Sequence, residues 1–135
     1  MKYVRIFADA DGESHLDDGE FATELVDLVD GAPQATFTLP MPVSEVQMFR
    51  LPPGEWQDDW HPAPRLQLVF VLAGAMEIET SDGDVRQLSA GEVLLAEDIR
   101  GKGHITRSVD GWDLMVAWMP LAEDARSEGE EADYE

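Results

Sequence analysis

Two strand-like stretches decide the fold of this chain: residues 60–74, WHPAPRLQLVFVLAG, and residues 91–104, GEVLLAEDIRGKGH. Each stretch begins or ends at a glycine, and each carries one of the chain's three histidines. Their runs of valine, leucine and phenylalanine favour extended backbone. Apolar runs of this length, bounded by glycine and proline, are typical of buried strands.

The remainder of the chain continues this pattern. Short apolar segments recur at roughly 8–12-residue spacing, which is typical of a β-sandwich or barrel. A turn at 81–84, Ser-Asp-Gly-Asp, separates two of them. Residues 9–20, DADGESHLDDGE, are predicted to form an acidic loop, and residues 22–29 fit a strand or a short helix. The sequence predicts one all-β domain over residues 1–120 and an acidic, disordered tail over 121–135.

The charge restricts the classes of partner. There are 29 acidic residues and 9 basic residues, which give a net charge of −20. Binding to phosphate backbones needs a basic face, so nucleic acid is not an expected partner, and an anionic membrane surface would repel the chain. Two explanations of this acidity remain open: an ordinary acidic surface, or adaptation to a salty cytoplasm, where a Debye length of about 3 Å screens carboxylates from one another.

Cysteine and long apolar segments are both missing from the sequence. Without cysteine, neither a disulfide nor a thiolate metal site can form. No apolar run approaches the roughly 18 residues of a membrane helix, and the N-terminal residues lack the apolar core of a signal peptide. We therefore expect a cytoplasmic protein that has no membrane partner.

Alternation along the first stretch predicts a pocket. If residues 61–71 are extended, then His61, Arg65 and Gln67 share one face of the strand. The two prolines of this stretch lack N–H groups, which places its start at the rim of a sheet. The opposite face is apolar throughout and needs cover from a second sheet or a partner subunit, so we expect a homodimer.

Several polar or aromatic residues near these stretches are candidates for substrate binding. Arg65 and Arg50 are rare cations that would clamp a substrate carboxylate, although Arg65 could instead pair with Glu97 or Asp98. Those two acids fit either an acid–base or histidine-orienting role, or a solvated turn. Trp60 lies near the expected mouth, where it would cover a ligand or pack at the rim.

The two stretches resemble the motifs of the cupin superfamily. The first cupin motif reads Gly, five residues, His-x-His, three or four residues, Glu, six residues, Gly. The second reads Gly, five residues, Pro-x-Gly, two residues, His, three residues, Asn. Gln67 precedes Gly74 by the Glu-to-Gly interval, His61 stands at the first histidine, and Gly91 begins the second motif. The resemblance covers residues 43–119, and the segments W-H-P-A-P-R-x-Q and E-D-x-x-G-K-G-H are similar to those of small single-domain bacterial cupins. It implies a jelly-roll β-barrel.

The chain also departs from the cupin pattern. Ala63 replaces the second histidine, Gln67 replaces the glutamate, and Lys102 stands at the last histidine position, with His104 two residues later. The resemblance implies that His61, Gln67 and His104 surround one point, and three ligands with an open position are typical of a catalytic metal site. Such a site would hold one divalent ion, Fe, Mn, Ni or Zn. The alternative is a metal-free pocket in which His61 and His104 form hydrogen bonds or His104 is a general acid or base, with Gln67 as a neutral hydrogen-bonding group.

The resemblance implies an oxygenase, isomerase or lyase that acts on a small polar or carboxylate-bearing compound. The alternative is a barrel that binds or senses a small ligand without catalysis, since cupins host many activities. The candidate catalytic residues are His61, His104, Glu97 and Asp98, and the candidate substrate-binding residues are Arg65, Arg50, Trp60 and Gln67.

Overall fold

The computed structural model describes residues 1–111 and 113–122. In these ranges the chain forms eleven strands and no helix, which confirms the predicted all-β class. No helix that could cross a membrane occurs in them. Apart from its first two residues, the predicted tail lies outside the described residues. The strands are β1 Lys2–Ala8, β2 Ser14–Glu20, β3 Thr23–Val26, β4 Ala35–Thr38, β5 Gln47–Leu51, β6 Gln67–Ala73, β7 Ala75–Thr80, β8 Val85–Ser89, β9 Val93–Ala96, β10 His104–Ser108 and β11 Leu114–Pro120.

The strands form two main sheets and a hairpin. One sheet has six strands in the order β2-β1-β9-β6-β11-β5, and the second has three in the order β10-β7-β8. Strands β3 and β4 pair only with each other. All neighbours are antiparallel except β1 and β9. Several neighbours are far apart in sequence, as in a jelly roll.

The core is formed by alternate residues of strands from both main sheets. In β1, for example, Val4, Ile6 and Ala8 are buried, whereas the residues between them are half-buried. Because successive side chains of a strand point to opposite faces, each strand contributes one apolar face to the core. The largest fully buried apolar side chains are Ile6, Ile78, Leu88, Leu114, Val71 and Val116.

The predicted loop at residues 9–20 is wrong over most of its length, because residues 14–20 form β2. This strand pairs with β1 from Lys2↔Glu20 to Ala8↔Ser14. Ser14 and Leu16 are buried, whereas the acidic residues of the strand keep contact with solvent. Backbone pairing with β1 therefore overrides an acidic, turn-like composition.

The predicted homodimer stays a prediction. Strand β5 lies at an edge of the six-stranded sheet, and Met48 on this strand is exposed, as is Val46 just before it. Exposed apolar side chains on an edge strand are features that a second copy could cover.

A backbone bridge joins the two stretches that decided the fold. His61 N–H donates to the His104 carbonyl at 3.1 Å, and His104 N–H donates to the His61 carbonyl at 3.0 Å. Gly103 precedes the bridge with φ +76°, and a Cβ atom on it would overlap the His61 carbonyl group. Glycine is therefore required here both by the backbone conformation and by the close approach of the two chain segments.

We expect Gly103→Ala to lower the free energy of unfolding by about 3–4 kcal/mol, because the left-handed conformation costs about 1–2 kcal/mol and each lost bridge bond about 1 kcal/mol. Gly83 is a matched control: its φ is +90°, but a Cβ atom added to it would have no neighbour within 4 Å. Gly83→Ala should cost only about 1–2 kcal/mol. Urea unfolding measures both. Equal losses would contradict a packing role for the Gly103 contact.

Candidate functional site

A cavity of about 590 Å³ lies inside the barrel. This volume is within the usual range of small-molecule sites. Polar residues are few among those that line it: Gln57, Asp58, His61, Gln67, His104 and Thr106. The apolar lining residues include Phe49, Leu51, Trp56, Val69, Met76, Ile78, Leu94, Leu114, Val116 and Trp118. The cavity can therefore hold an apolar ligand body and a small number of polar groups.

The backbone bridge places the rings of His61 and His104 against each other. In an antiparallel pair, the two opposite residues point to the same face. Their ring centroids are 4.9 Å apart and the planes meet at 61°. Both residues line the cavity together with Gln67, so the structure places these three predicted residues around one space.

His61 has a hydrogen-bond acceptor at each ring nitrogen. Nδ1 lies 3.0 Å from the Pro62 carbonyl oxygen, and Nε2 lies 2.9 Å from Asp58 Oδ2. Both nitrogens must carry hydrogen to satisfy two acceptors, so this arrangement favours the imidazolium. Burial lowers the pKa of His61, but the Pro62 carbonyl and the Asp58 carboxylate outweigh it and raise the pKa above its ordinary value.

Asp58 is a site residue that the sequence analysis missed. Its Oδ1 accepts a hydrogen bond from the Thr106 N–H at 2.6 Å, and its own N–H donates to the Thr106 carbonyl at 3.0 Å. Asp58 is thereby held against β10 while its other oxygen binds His61. Only its position three residues before His61 could have indicated this role, and Asp59 stands one residue nearer to His61 in the sequence.

His104 is held by Asp98. Its Nδ1 lies 2.6 Å from Asp98 Oδ2, and Asp98 is fully buried. The carboxylate fixes the neutral ring in the tautomer that carries hydrogen on Nδ1. Within residues 1–111 and 113–122, Nε2 of His104 has no hydrogen-bond partner. A histidine in this arrangement can accept a proton at Nε2.

Gln67 is the third polar residue of this space. It begins β6, lines the cavity and is only 5% exposed. Among the described residues, no partner hydrogen-bonds its carboxamide. It therefore offers a ligand both an acceptor oxygen and N–H donors.

Glu97, the neighbour of Asp98, does not line the cavity. It is fully buried, and its Oε1 lies 3.3 Å from an Arg5 guanidinium nitrogen. The chain turns here, with the Ile99 N–H donating to the Glu97 carbonyl at 2.9 Å, and Glu97 contacts Arg5 of β1 whereas Asp98 contacts His104. The geometry thus separates the two predicted acids: Asp98 contacts a site histidine and Glu97 does not.

The structure does not bring Arg65, Arg50 or Trp60 into the cavity. Residues 64–66 form a bend before β6 begins, so the alternation expected for residues 61–71 is interrupted there. The exposed Arg65 side chain binds Glu45 at 2.6 Å, rather than a cavity ligand or either of the acids at 97 and 98. Arg50 binds Asp113 on the outside, with its shortest contact at 2.5 Å. Trp60 is 46% exposed.

The donors of this site fit a resident metal poorly as they are arranged. Among the described residues, no group of three or more histidine and carboxylate side chains could hold an ion. Both nitrogens of His61 are engaged, so it has no lone pair for a metal unless it leaves Asp58 and loses a proton. The remaining donors are His104 Nε2 and the neutral amide oxygen of Gln67. The predicted metal on His61, Gln67 and His104 stays a prediction.

Comparison with known proteins gave a family match and several similar solved structures, of which two are described. The family model described as Cupin domain matches residues 47–115. A protein from Neisseria meningitidis is 14% identical with a TM-score of 0.43, over 77% of this chain and 88% of that chain. A cupin domain from Bordetella pertussis Tohama I is 17% identical with a TM-score of 0.44, over 77% of this chain and 97% of that chain. No curated protein matches the sequence.

We expect Asp58→Asn to lower the pKa of His61, because burial, which lowers it, is then opposed only by the Pro62 carbonyl and the charge of Asp98. In the native protein the raised pKa means that His61 stabilises the fold fully below about pH 6.5, and this contribution disappears as pH rises through the folded-state pKa. Histidine NMR titration measures the pKa, and unfolding at several pH values measures the stability. Asp59→Asn removes the same charge from an exposed neighbour and should leave His61 almost unchanged. Equal shifts in the two variants would contradict the pairing.

Proposed function

Because the chain belongs to the cupin domain family, we propose that its barrel cavity binds a small molecule and that His104 transfers a proton to or from this molecule. Membership of the family supports a cupin-type function, which is either enzymatic or ligand-binding. The single observation that carries the finer proposal is the 2.6 Å contact between Asp98 Oδ2 and His104 Nδ1.

The pair formed by Asp98 and His104 suits a general base. The carboxylate holds the ring in one tautomer and stabilises the positive charge that develops when Nε2 takes a proton. Asp98 is fully buried, so water does not screen this interaction strongly. The proton stays on Nδ1 throughout, and Nε2 alone exchanges with the ligand.

His61 supplies the complementary group. It carries the proton that its two acceptors favour, and its ring contacts that of His104. Nε2 of His104 can therefore take a proton from a ligand beside a ring that already carries one, because the N–H groups of His61 are held by Pro62 and Asp58. This combination supports an isomerase or lyase more strongly than an oxygenase.

A binding or sensing module without catalysis is the second candidate. The mainly apolar cavity wall favours it, since such a wall provides binding free energy whether or not a proton moves. Replacing His104 distinguishes the two candidates. It should abolish proton transfer in an enzyme, whereas a binding module transfers no proton before or after the change.

We expect the protein to accelerate exchange of the α-protons of benzylacetone, an uncharged ketone, with D₂O, measured by proton NMR. His104→Gln should lower the catalysed rate by about 100-fold or more, the usual contribution of a general base. Asp98→Asn should also lower it, because the ring loses its preferred tautomer. His15→Gln replaces the histidine outside the cavity and should retain the rate. Ligand binding without accelerated exchange would favour the second candidate and contradict catalysis.

Elemental analysis of protein purified without chelators or a metal-affinity tag tests the competing metal proposal. Since both nitrogens of His61 are engaged, we expect Fe, Mn, Ni and Zn to be well below one ion per chain. One ion per chain that disappears in the variant His61→Ala/His104→Ala would support a metal on His61, Gln67 and His104. That result would contradict the acid–base assignment.

A further inference from the structure

We propose that the cavity selects ligands with an uncharged oxygen-bearing head group, a hydroxyl or a carbonyl, on an apolar body, and that Gln67 determines this preference. The inference rests on the proposed function in one respect: the cavity must be the binding site. The ligand class that it names is uncharged, whereas the sequence analysis expected a small polar or carboxylate-bearing compound.

Three polar groups of the cavity remain available to a ligand. In the part of the chain that the structure describes, no hydrogen bond engages the Gln67 carboxamide, the Thr106 hydroxyl or Nε2 of His104. Thr106 follows His104 by two residues on β10 and therefore points to the same side. Together these groups offer donors and acceptors that match a hydroxyl or a carbonyl group.

The charged groups that a carboxylate would need are already paired. Neither arginine nor lysine is among the described residues that line the cavity. Arg50 and Arg65 are exposed and form ion pairs outside it. The His61 imidazolium is paired with Asp58. An anionic head group would lose its hydration without gaining a counter-ion, and this cost exceeds what neutral hydrogen bonds return.

The net charge of the protein also disfavours an anionic ligand. A net charge of −20 repels anions that approach the cavity, and the repulsion weakens as salt is added. Inside the cavity, the apolar wall suits the uncharged remainder of a ligand. The charge distribution therefore opposes a carboxylate both during approach and after binding.

Gln67 is the group that an uncharged ligand satisfies best. The residue is only 5% exposed, and its carboxamide faces the cavity without a hydrogen-bond partner among the described residues, so it is available to a ligand. A ligand oxygen forms a hydrogen bond with it without bringing a charge. A carboxylate at position 67 would reverse this preference, because it would pair with an organic cation.

Four probes with one phenylpropyl-type body test the head-group preference: hydrocinnamyl alcohol, benzylacetone, hydrocinnamate and hydrocinnamylamine. Calorimetric titration at neutral pH measures their Kd values. The native protein should bind the alcohol and the ketone at least about tenfold more tightly than either ion, a ratio that corresponds to about 1.4 kcal/mol. Added salt should reduce the discrimination against hydrocinnamate.

Two variants test the role of Gln67. In Gln67→Glu, the affinity for the amine divided by the affinity for the alcohol should rise by about tenfold or more. Gln67→Met is uncharged and similar in shape, and it should weaken the alcohol and the ketone by about tenfold without strengthening the amine. Gln67→Met still tests the proposal if the buried charge of Gln67→Glu prevents folding. Gln87→Glu makes the same chemical change on an exposed position of β8 and should leave the order of affinities unchanged.

Three results would overturn the proposal. If hydrocinnamate binds as tightly as the alcohol in the native protein, then the head-group preference is wrong although the cavity still binds ligands. If Gln67→Met retains the native affinities, then Gln67 does not determine the preference. If none of the four probes binds, then the proposed function fails together with this inference.

Discussion

The reciprocal backbone bridge between His61 and His104 is the constraint on which the site depends. It joins two segments that are distant in sequence and turns both imidazoles to the same side of the barrel. Gly103 permits the approach because a side chain at that position would overlap the His61 carbonyl group. Once the bridge is formed, Asp58 and Asp98 each reach one ring, and the rings acquire different hydrogen-bond environments. The chemical difference between two identical side chains thus originates in backbone pairing.

Two adjacent buried acids show how this acidic chain tolerates charge in its interior. Glu97 lies beside Arg5 at 3.3 Å and links the end of β9 to β1, whereas Asp98 binds His104. A buried carboxylate is stable only when a donor or a positive charge compensates for its lost hydration. The two side chains contact different partners just after β9 ends, so one acid is paired within the sheet and the other orients a histidine of the site.

Apolar alternation predicted the strands other than β2, because it is a local property, and the resemblance to the cupin motifs implied that His61, Gln67 and His104 converge. The sequence failed for Arg65, since the bend at residues 64–66 restarts the alternation and no local signal marks it. It also failed to separate Asp58 from Asp59. Those two residues have the same chemistry and adjacent positions, and only the pairing of Asp58 with Thr106 on β10 distinguishes them. The sequence could not show which of two similar residues contacts a distant segment of the chain.

The departures from the cupin pattern are consistent with this difference between the two histidines. Ala63, at the position of the second motif histidine, lines the cavity and donates its N–H to the Asp98 carbonyl at 2.8 Å. The small side chain removes one metal-ligating group, while its backbone holds the residue that orients His104. Gln67 removes the negative charge of the motif glutamate and leaves a neutral amide. Both replacements weaken a cation site and leave the contact between Asp98 and His104 in place, as the proposed acid–base role of His104 requires.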